Sequence, residues 1–216
     1  MFKKIFMLFI VFAFFVTSLV TGQGTVGVKK GDWIEFEVST TGTPEEGHDV
    51  VWARLEILDV VNNNLSVNVL TKSSNGTFDS DIMILNPQEG NVGVWFIIPP
   101  NLDVGDRFYD SNECEYVTIQ SSEQKMVAGA VRTITQTTIP ERIKSWDKET
   151  GVFVGSIDTL ENYTLNAHAY KTNLWNPQIL GLNPNVFYIA LFTALASIIA
   201  VTAVAVFYRQ RKNKLA

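Results

Sequence analysis

Residues 33–39 read WIEFEVS, and polarity alternates along them from one residue to the next. Ile34, Phe36 and Val38 are apolar, whereas the residues between them are glutamates and the residue after them is a serine. Successive side chains of a strand point to opposite faces. The stretch therefore predicts a strand with one buried face and one face in water.

The same alternation continues through most of residues 28–173. It occurs at 51–57 and 65–69, on either side of Asn62, Asn63 and Asn64, and asparagine tolerates the positive φ of a hairpin turn. Further strands are predicted at 82–85, 92–98, 115–120, 127–137, 142–146, 152–158 and 163–172. Because no amphipathic helix of normal length interrupts them, we expect an all-β, antiparallel domain of about nine to eleven strands in a sandwich, an open barrel or a bent sheet.

A Gly-Asp pair occurs twice before a β-rich stretch. Gly31-Asp32 precedes the first strand, and Gly105-Asp106 lies 74 residues later. The simplest interpretation is a turn that starts a strand, and the alternative is a duplicated half-domain.

Both ends of the chain are apolar. Residues 5–20 are a 16-residue apolar run after Lys3 and Lys4, which predicts a signal peptide at 1–22, with an uncleaved signal anchor as the alternative. Residues 186–207 contain no charge in 22 positions, enough to reach about 33 Å as a helix. We therefore predict a β-domain at 23–175, a juxtamembrane linker at 176–185, a single transmembrane helix at 186–207 and a basic cytoplasmic tail at 208–216.

The predicted membrane contacts are the lipid bilayer around this helix and a set of interfacial residues. These are Trp175, Tyr188, Tyr208, Arg209, Arg211, Lys212 and Lys214. By the positive-inside rule, the protein is a single-pass protein of the cell membrane with the β-domain outside and the C-terminus in the cytoplasm.

Composition excludes several broad classes of protein. The chain is 46% hydrophobic and 18% charged and has one cysteine, which argues against disorder and against a disulfide-rich mini-domain. Residues 23–185 hold all 22 acidic residues but 11 basic ones, a net charge of −11. We therefore expect no nucleic-acid partner.

Residues for catalysis are scarce. His48 and His168 have no partner at metal-ligand spacing, and no nucleophile elbow, zinc-protease motif or phosphate-binding glycine loop occurs. Asp79 with Asp81, and Asp103 with Asp106 and Asp110, are interpreted as turn and surface residues. We expect no catalytic residue, no metal ligand, no cofactor and no enzymatic activity.

Other side chains predict modification or packing. Asn64, Asn75 and Asn162 head Asn-x-Ser/Thr sequons and are candidate glycosylation sites. Core packing is predicted for the first four tryptophans, with an aromatic ligand groove as the alternative. Trp175 is assigned to a membrane surface. Cys114 is predicted to be buried. The four tryptophans are Trp33, Trp52, Trp95 and Trp146.

Several segments carry a resemblance: KKGDWIEFEV, FIIPPNLDVGDRFY, RTI and SWDKETGVFVGS, then TNLW before the last apolar run. With them the chain resembles a group of uncharacterised archaeal cell-surface proteins. The resemblance implies a signal peptide, a β-rich outer domain and one C-terminal anchor, without an assigned activity. The hairpin at 147–151 also resembles one in periplasmic lipoprotein carriers, which hold acyl chains on a curved sheet.

Three functions remain open from the sequence. The first is a membrane-anchored, non-enzymatic surface module that binds a ligand or partner through one face of its β-domain. The second is an accessory subunit of a membrane complex, recruited through small residues four apart on the helix, such as Ala190 and Ala194. The third is an apolar-ligand carrier, which requires a curved sheet with an apolar cavity.

Overall fold

The computed structural model describes residues 26–45 and 48–213, with side chains of the C-terminal helix described up to residue 199 and at 201 and 202. The described chain is mostly β, as predicted. The strands are β1 (Trp33–Gly42), β2 (Val50–Val61), β3 (Asn64–Ser73), β4 (Phe78–Leu85), β5 (Arg107–Asp110), β6 (Glu115–Thr118), β7 (Ser121–Val127), β8 (Ala130–Ile139), β9 (Arg142–Asp147), β10 (Phe153–Thr159) and β11 (Tyr163–Thr172). A 3₁₀ turn covers Pro87–Glu89, and the helix α1 covers Pro184–Asn213.

One open sheet dominates the structure. Nine antiparallel strands follow the order β4-β3-β2-β1-β11-β10-β9-β8-β7, and β5 and β6 form a separate hairpin. All neighbours in the large sheet are consecutive along the chain except β1 and β11, which pair from Ile34 opposite Thr172 to Gly42 opposite Tyr163. Two meanders are thus joined edge to edge by the first and last strands of the domain.

The two Gly-Asp pairs form the same turn. Each aspartate side chain accepts a hydrogen bond from the backbone N–H three residues earlier, at 2.8 Å for Asp32 and 2.7 Å for Asp106. Each glycine has a positive φ, and each N–H donates to a neighbouring strand or loop, Gly31 to Ile57 and Gly105 to Ile119. Since β1 and β5 begin directly afterwards, the prediction of a strand-starting turn is confirmed.

The sheet has a covered face, here called the inner face, which carries Ile34, Phe36 and Leu55. The segment between β4 and β7 crosses this face, and its Trp95 and Phe108 pack against Trp146 of β9 with ring centroids 6.1 and 5.8 Å away. The other face, which carries Trp33, Glu35 and Arg54, is the outer face. Alternation along the strands therefore has the predicted consequence, since most of the core lies on the inner face.

Trp175 is buried on the outer face of β7 and β8, as part of the same hydrophobic cluster as Val127. Its ring is 8% exposed, its Nε1 donates to the Val127 carbonyl at 3.1 Å, and the Arg132 guanidinium lies 4.8 Å from the ring centroid. The prediction that Trp175 rests on a membrane surface is thus corrected. The indole packs against the β-domain because residues 174–178 fold back along β8.

Arg132 and Asp147 form a buried ion pair beside this ring. Arg132 Nε and Nη2 donate to the two carboxylate oxygens of Asp147 at 2.7 and 3.0 Å, and Asp147 is fully buried. Burial lowers the pKa of Arg132, but the hydrogen bonds to Asp147 and Glu149 outweigh this effect and leave it raised. Asp147 also accepts from the backbone and hydroxyl of Thr150, which fixes the 147–151 hairpin.

Other predictions need correction. Residues 92–98 are not a strand, because Gly93 and the two residues after it take positive φ values. Trp95 and Trp146 are core residues as predicted, whereas Trp33 and Trp52 are half-buried on the outer face. Cys114 is exposed, because it stands at the end of the tight turn between β5 and β6.

The helix α1 occupies the place of the predicted transmembrane segment. Among the residues that the structure describes, no helix is both long enough and apolar enough to cross a membrane. The predicted span 186–207 ends beyond the last described side chain, and no side chain is described for Tyr208, Arg209, Arg211 or Lys212. Lys214 and the predicted signal peptide 1–22 lie outside the described residues altogether. These assignments stay predictions.

Replacing Asp147 with alanine should strongly destabilise the domain. The substitution leaves the Arg132 charge buried without its main partner, a change that typically lowers the free energy of unfolding by about 3–5 kcal/mol. Urea unfolding of the full chain followed by tryptophan fluorescence measures the difference. The control is Glu149→Ala, which removes an exposed partner of the same guanidinium and should change stability by about 1 kcal/mol or less. Equal effects of the two variants would contradict the assignment.

Candidate functional site

An apolar cleft of about 210 Å³ opens on the inner face of the sheet, between the central strands and the segment 93–96. Most of its lining is contributed by apolar side chains: Phe36, Val38, Ala53, Leu55, Val69, Val94, Phe96, Phe153 and Ala167. This is the part of the inner face that the covering segment does not fill.

The strands explain why space remains there. Ala53 of β2 and Ala167 of β11 are small residues at inner-face positions, on either side of β1. Phe36 and Phe153 form the floor between them, with ring centroids 5.3 Å apart. Two alanines next to two packed rings leave a depression whose walls are fixed by backbone pairing.

The segment that covers the cleft has an unusual backbone. Gly93, Val94 and Trp95 take φ values of +52°, +50° and +70° in succession. The conformation is open to glycine, but for a β-branched residue such as Val94 it is a true outlier. A Cβ at Gly93 would lie 2.3 Å from Leu85 Cδ2, so a larger residue there would require the buried Leu85 side chain to shift. Strain of this kind clusters at ligand sites and clamps.

Contacts on both sides hold this conformation in place. The Trp95 ring is buried, its Nε1 donates to Asp110, and its carbonyl accepts a 2.8 Å hydrogen bond from Trp146 Nε1. One residue later, the Phe96 carbonyl accepts from the Phe153 N–H at 2.9 Å. Val94 lies between these anchors and is 75% exposed at the mouth of the cleft.

One side of the cleft is polar. Lys144 Nζ and Ser156 Oγ both donate to Asp158 Oδ2 at 2.9 Å. The second carboxylate oxygen of Asp158, Oδ1, is buried and has no hydrogen-bond partner. The cleft therefore combines an apolar floor with a hydrogen-bonding edge, which suits one end of an amphiphile.

The three sequon asparagines are all exposed. Asn75 follows β3 and Asn162 precedes β11, at the end of the sheet remote from the point where β11 leads into the C-terminal segment. Asn64 lies at the opposite end and accepts a hydrogen bond from Asn86 at 3.3 Å. The structure leaves all three accessible and brings none of them to the cleft.

The other polar residues singled out in the sequence lie apart from the cleft. His48 contacts the Tyr163 hydroxyl, and His168 lies 3.4 Å from Glu37 on the outer face. Asp110 is buried against Trp95, and Asp103 and Asp106 share a turn. Within residues 26–45 and 48–213, no group of three or more histidine, cysteine or acidic side chains is placed to hold a metal ion.

Comparison with known proteins adds no relative: no protein-family model matches the chain, and no curated protein matches its sequence. The site thus has to be interpreted from its own geometry. Sequence reasoning missed Val94 and Phe96 because they were assigned to a strand. The one available signal was Gly93, since a glycine inside an apparent strand often marks irregular backbone.

Replacing Val94 with glycine should raise the stability of the domain. A non-glycine residue in this region costs about 1–3 kcal/mol, and the extra chain entropy of glycine takes back about 0.5–1 kcal/mol. We expect the free energy of unfolding to rise by about 1 kcal/mol in urea titrations. Val104→Gly is the control, since Val104 is also exposed but has no positive φ, and it should be destabilised. A Val94→Gly protein less stable than the parent would contradict the presence of strain.

Proposed function

We propose that this protein is a membrane-anchored, non-enzymatic binding module that holds the apolar part of an amphiphilic ligand in its inner-face cleft. The cleft itself carries the proposal. It is apolar, it is fixed by strand pairing, and its covering segment is strained and exposed at the mouth. An apolar-ligand carrier, one of the three functions open from the sequence, requires an apolar cavity beside the sheet. The cleft meets that requirement, whereas a completely filled core would not.

The size of the cleft limits the ligand. Complete pockets for small molecules usually have volumes of about 300–1,000 Å³, whereas this cleft has about 210 Å³. It therefore suits one acyl chain or a part of one, with the rest of the ligand outside. The edge formed by Lys144 and Ser156, both of which donate to Asp158 behind them, would then meet a hydroxyl, amine or similar polar group.

Anchoring in a cell membrane through residues 186–207, with the β-domain outside, is the second part of the proposal. Apolar side chains are exposed around the described part of α1, including Ile189, Phe192, Ile198 and Ile199. A helix that is apolar on all sides needs a cover, either protein or lipid. The uncharged run of 22 residues and the basic residues that follow it favour the lipid bilayer.

Acyl binding can be tested by photo-crosslinking of the full chain in membranes with a diazirine-labelled fatty acid. Trypsin produces one fragment from residue 73 to 107 that contains Val94 and Phe96, and a second from 172 to 209 that contains the helix. We expect both fragments to be labelled. Ala167→Leu, which fills the cleft, should lower labelling of the first fragment about tenfold and leave the second unchanged, so the helix is an internal reference.

Ser122→Leu is the matched control, because it adds the same side chain at an exposed position of β7 outside the cleft. It should leave both labels unchanged. Labelling confined to the helix fragment would reject the acyl-binding cleft, whatever the anchoring.

Anchoring is tested separately by alkaline carbonate extraction. The full chain should stay in the membrane pellet, and a chain ending at residue 183 should be recovered in the supernatant, because the apolar run is removed. Extraction of the full chain by carbonate would show that α1 is not an integral anchor.

A further inference from the structure

The outer face of the sheet carries an unbroken cross-strand row. Directly opposite residues continue through all nine strands, from β4 to β7, across a width of about 38 Å at roughly 4.8 Å per strand. All members of such a row point to the same side. The row begins at Phe78 and passes through Trp52, Glu37, His168 and Gly155 before it ends at Ser121.

Aromatic rings stand on the solvent side of this row. The Trp52 and Phe78 rings pack edge to face at 6.3 Å, and Phe78 is 58% exposed. Trp52 Nε1 donates to the Tyr170 hydroxyl at 3.1 Å, and that hydroxyl donates to Glu35 Oε2 at 2.9 Å. Rings ordered by hydrogen bonds on a face in water are a feature of binding surfaces.

The Tyr170 hydroxyl stays protonated and keeps this arrangement. Burial raises the pKa of Tyr170, the donation from Trp52 lowers it, and the Glu35 carboxylate raises it again, with a net increase. The Trp52 ring is thereby held in place by two successive hydrogen bonds, from Trp52 to Tyr170 and from Tyr170 to Glu35.

A groove of about 250 Å³ continues the row past β11. It lies over Gly155, where the missing side chain leaves room between Ser145 and His168. A Cβ at Gly155 would lie 2.8 Å from the Ala167 carbonyl oxygen, so the position requires glycine. Asn166 and Ile157 also line the groove, which therefore offers both hydrogen bonds and an apolar wall.

Charge on the aromatic part of the face is balanced. Three carboxylates, Glu35, Glu37 and Glu56, stand among three cations, Arg54, Lys72 and Lys171, and Arg54 bridges Glu35 and Glu56 at 3.1 and 3.3 Å. Residues 23–185 as a whole carry a net charge of −11. A polyanion would be repelled by the domain, and a polycation would find no excess of acid on this face.

We propose that the outer face binds a neutral polysaccharide chain laid across the strands. Sugar rings present flat C–H faces to Trp52 and Phe78, and their hydroxyl groups reach the polar side chains of the row and of the Gly155 groove. This site lies on the face opposite the inner-face cleft, and it does not depend on the function proposed for that cleft.

The test uses the full chain in nanodiscs and measures its retention on immobilised polysaccharides. The neutral probes are dextran, mannan and a β-glucan, and dextran sulfate is the charged comparison. Retention on at least one neutral polymer is expected. Trp52→Ala should weaken it at least tenfold, and His168→Ala, which removes an exposed side chain of the groove, should weaken it measurably with little effect on folding.

Tyr116→Ala is the matched control, because Tyr116 is an exposed aromatic residue on the β5–β6 hairpin away from the row. It should leave retention unchanged. The proposal is overturned if no neutral polymer is retained, if dextran sulfate is preferred, or if Tyr116→Ala weakens retention as much as Trp52→Ala. It is also overturned if light scattering shows that Trp52→Ala converts a dimer to a monomer, because the face would then be an interface between copies.

Discussion

The pairing of β1 with β11 is the constraint on which the rest of the structure depends. Each meander is a local structure that forms from consecutive hairpins, but only this pair joins them into one sheet of nine strands. The joined strands are far apart in the chain, with Ile34 opposite Thr172, so a large loop must close before the pair forms. The cleft on the inner face and the row on the outer face both cross this joint.

The segment between β4 and β7 uses the sheet as its support. Trp95, Phe108 and Trp146 form one aromatic cluster, and the hydrogen bond from Trp146 to the Trp95 carbonyl ties the cluster to the backbone. This tight anchoring sustains the left-handed conformation of Val94 next to it. Packing of the core thus holds the backbone at the mouth of the cleft in a strained conformation. Strain of this kind is often found at ligand-binding sites.

The two faces offer different chemistry because they are covered differently. On the inner face, small alanines beside phenylalanines leave an apolar space. On the outer face, rings are held among balanced charges and remain partly in water. One sheet can therefore present an apolar ligand site on one face and a polar, aromatic surface on the other.

Much of the fold could be predicted from the sequence. Alternation predicted most of the strands and their antiparallel arrangement, although it missed β7 and ran one strand through the turn between β7 and β8. The Gly-Asp pairs predicted the turns that start β1 and β5, because these signals come from neighbouring residues. The candidate site could not be predicted in this way. Val94 and Phe96 matched a strand pattern, and only Gly93 indicated otherwise.

The sequence by itself determined which residues alternate, where turns start strands and how charge is distributed along the chain. Only the tertiary structure decided which face each alternating set occupies, that Trp33 and Trp52 face outward, and that Trp175 is buried against Arg132. The physical reason is that periodicity defines two faces but not their cover. The cover comes from segments distant in the chain, the 86–120 connection on the inner face and residues 174–178 on the outer face, whose positions follow from long-range packing.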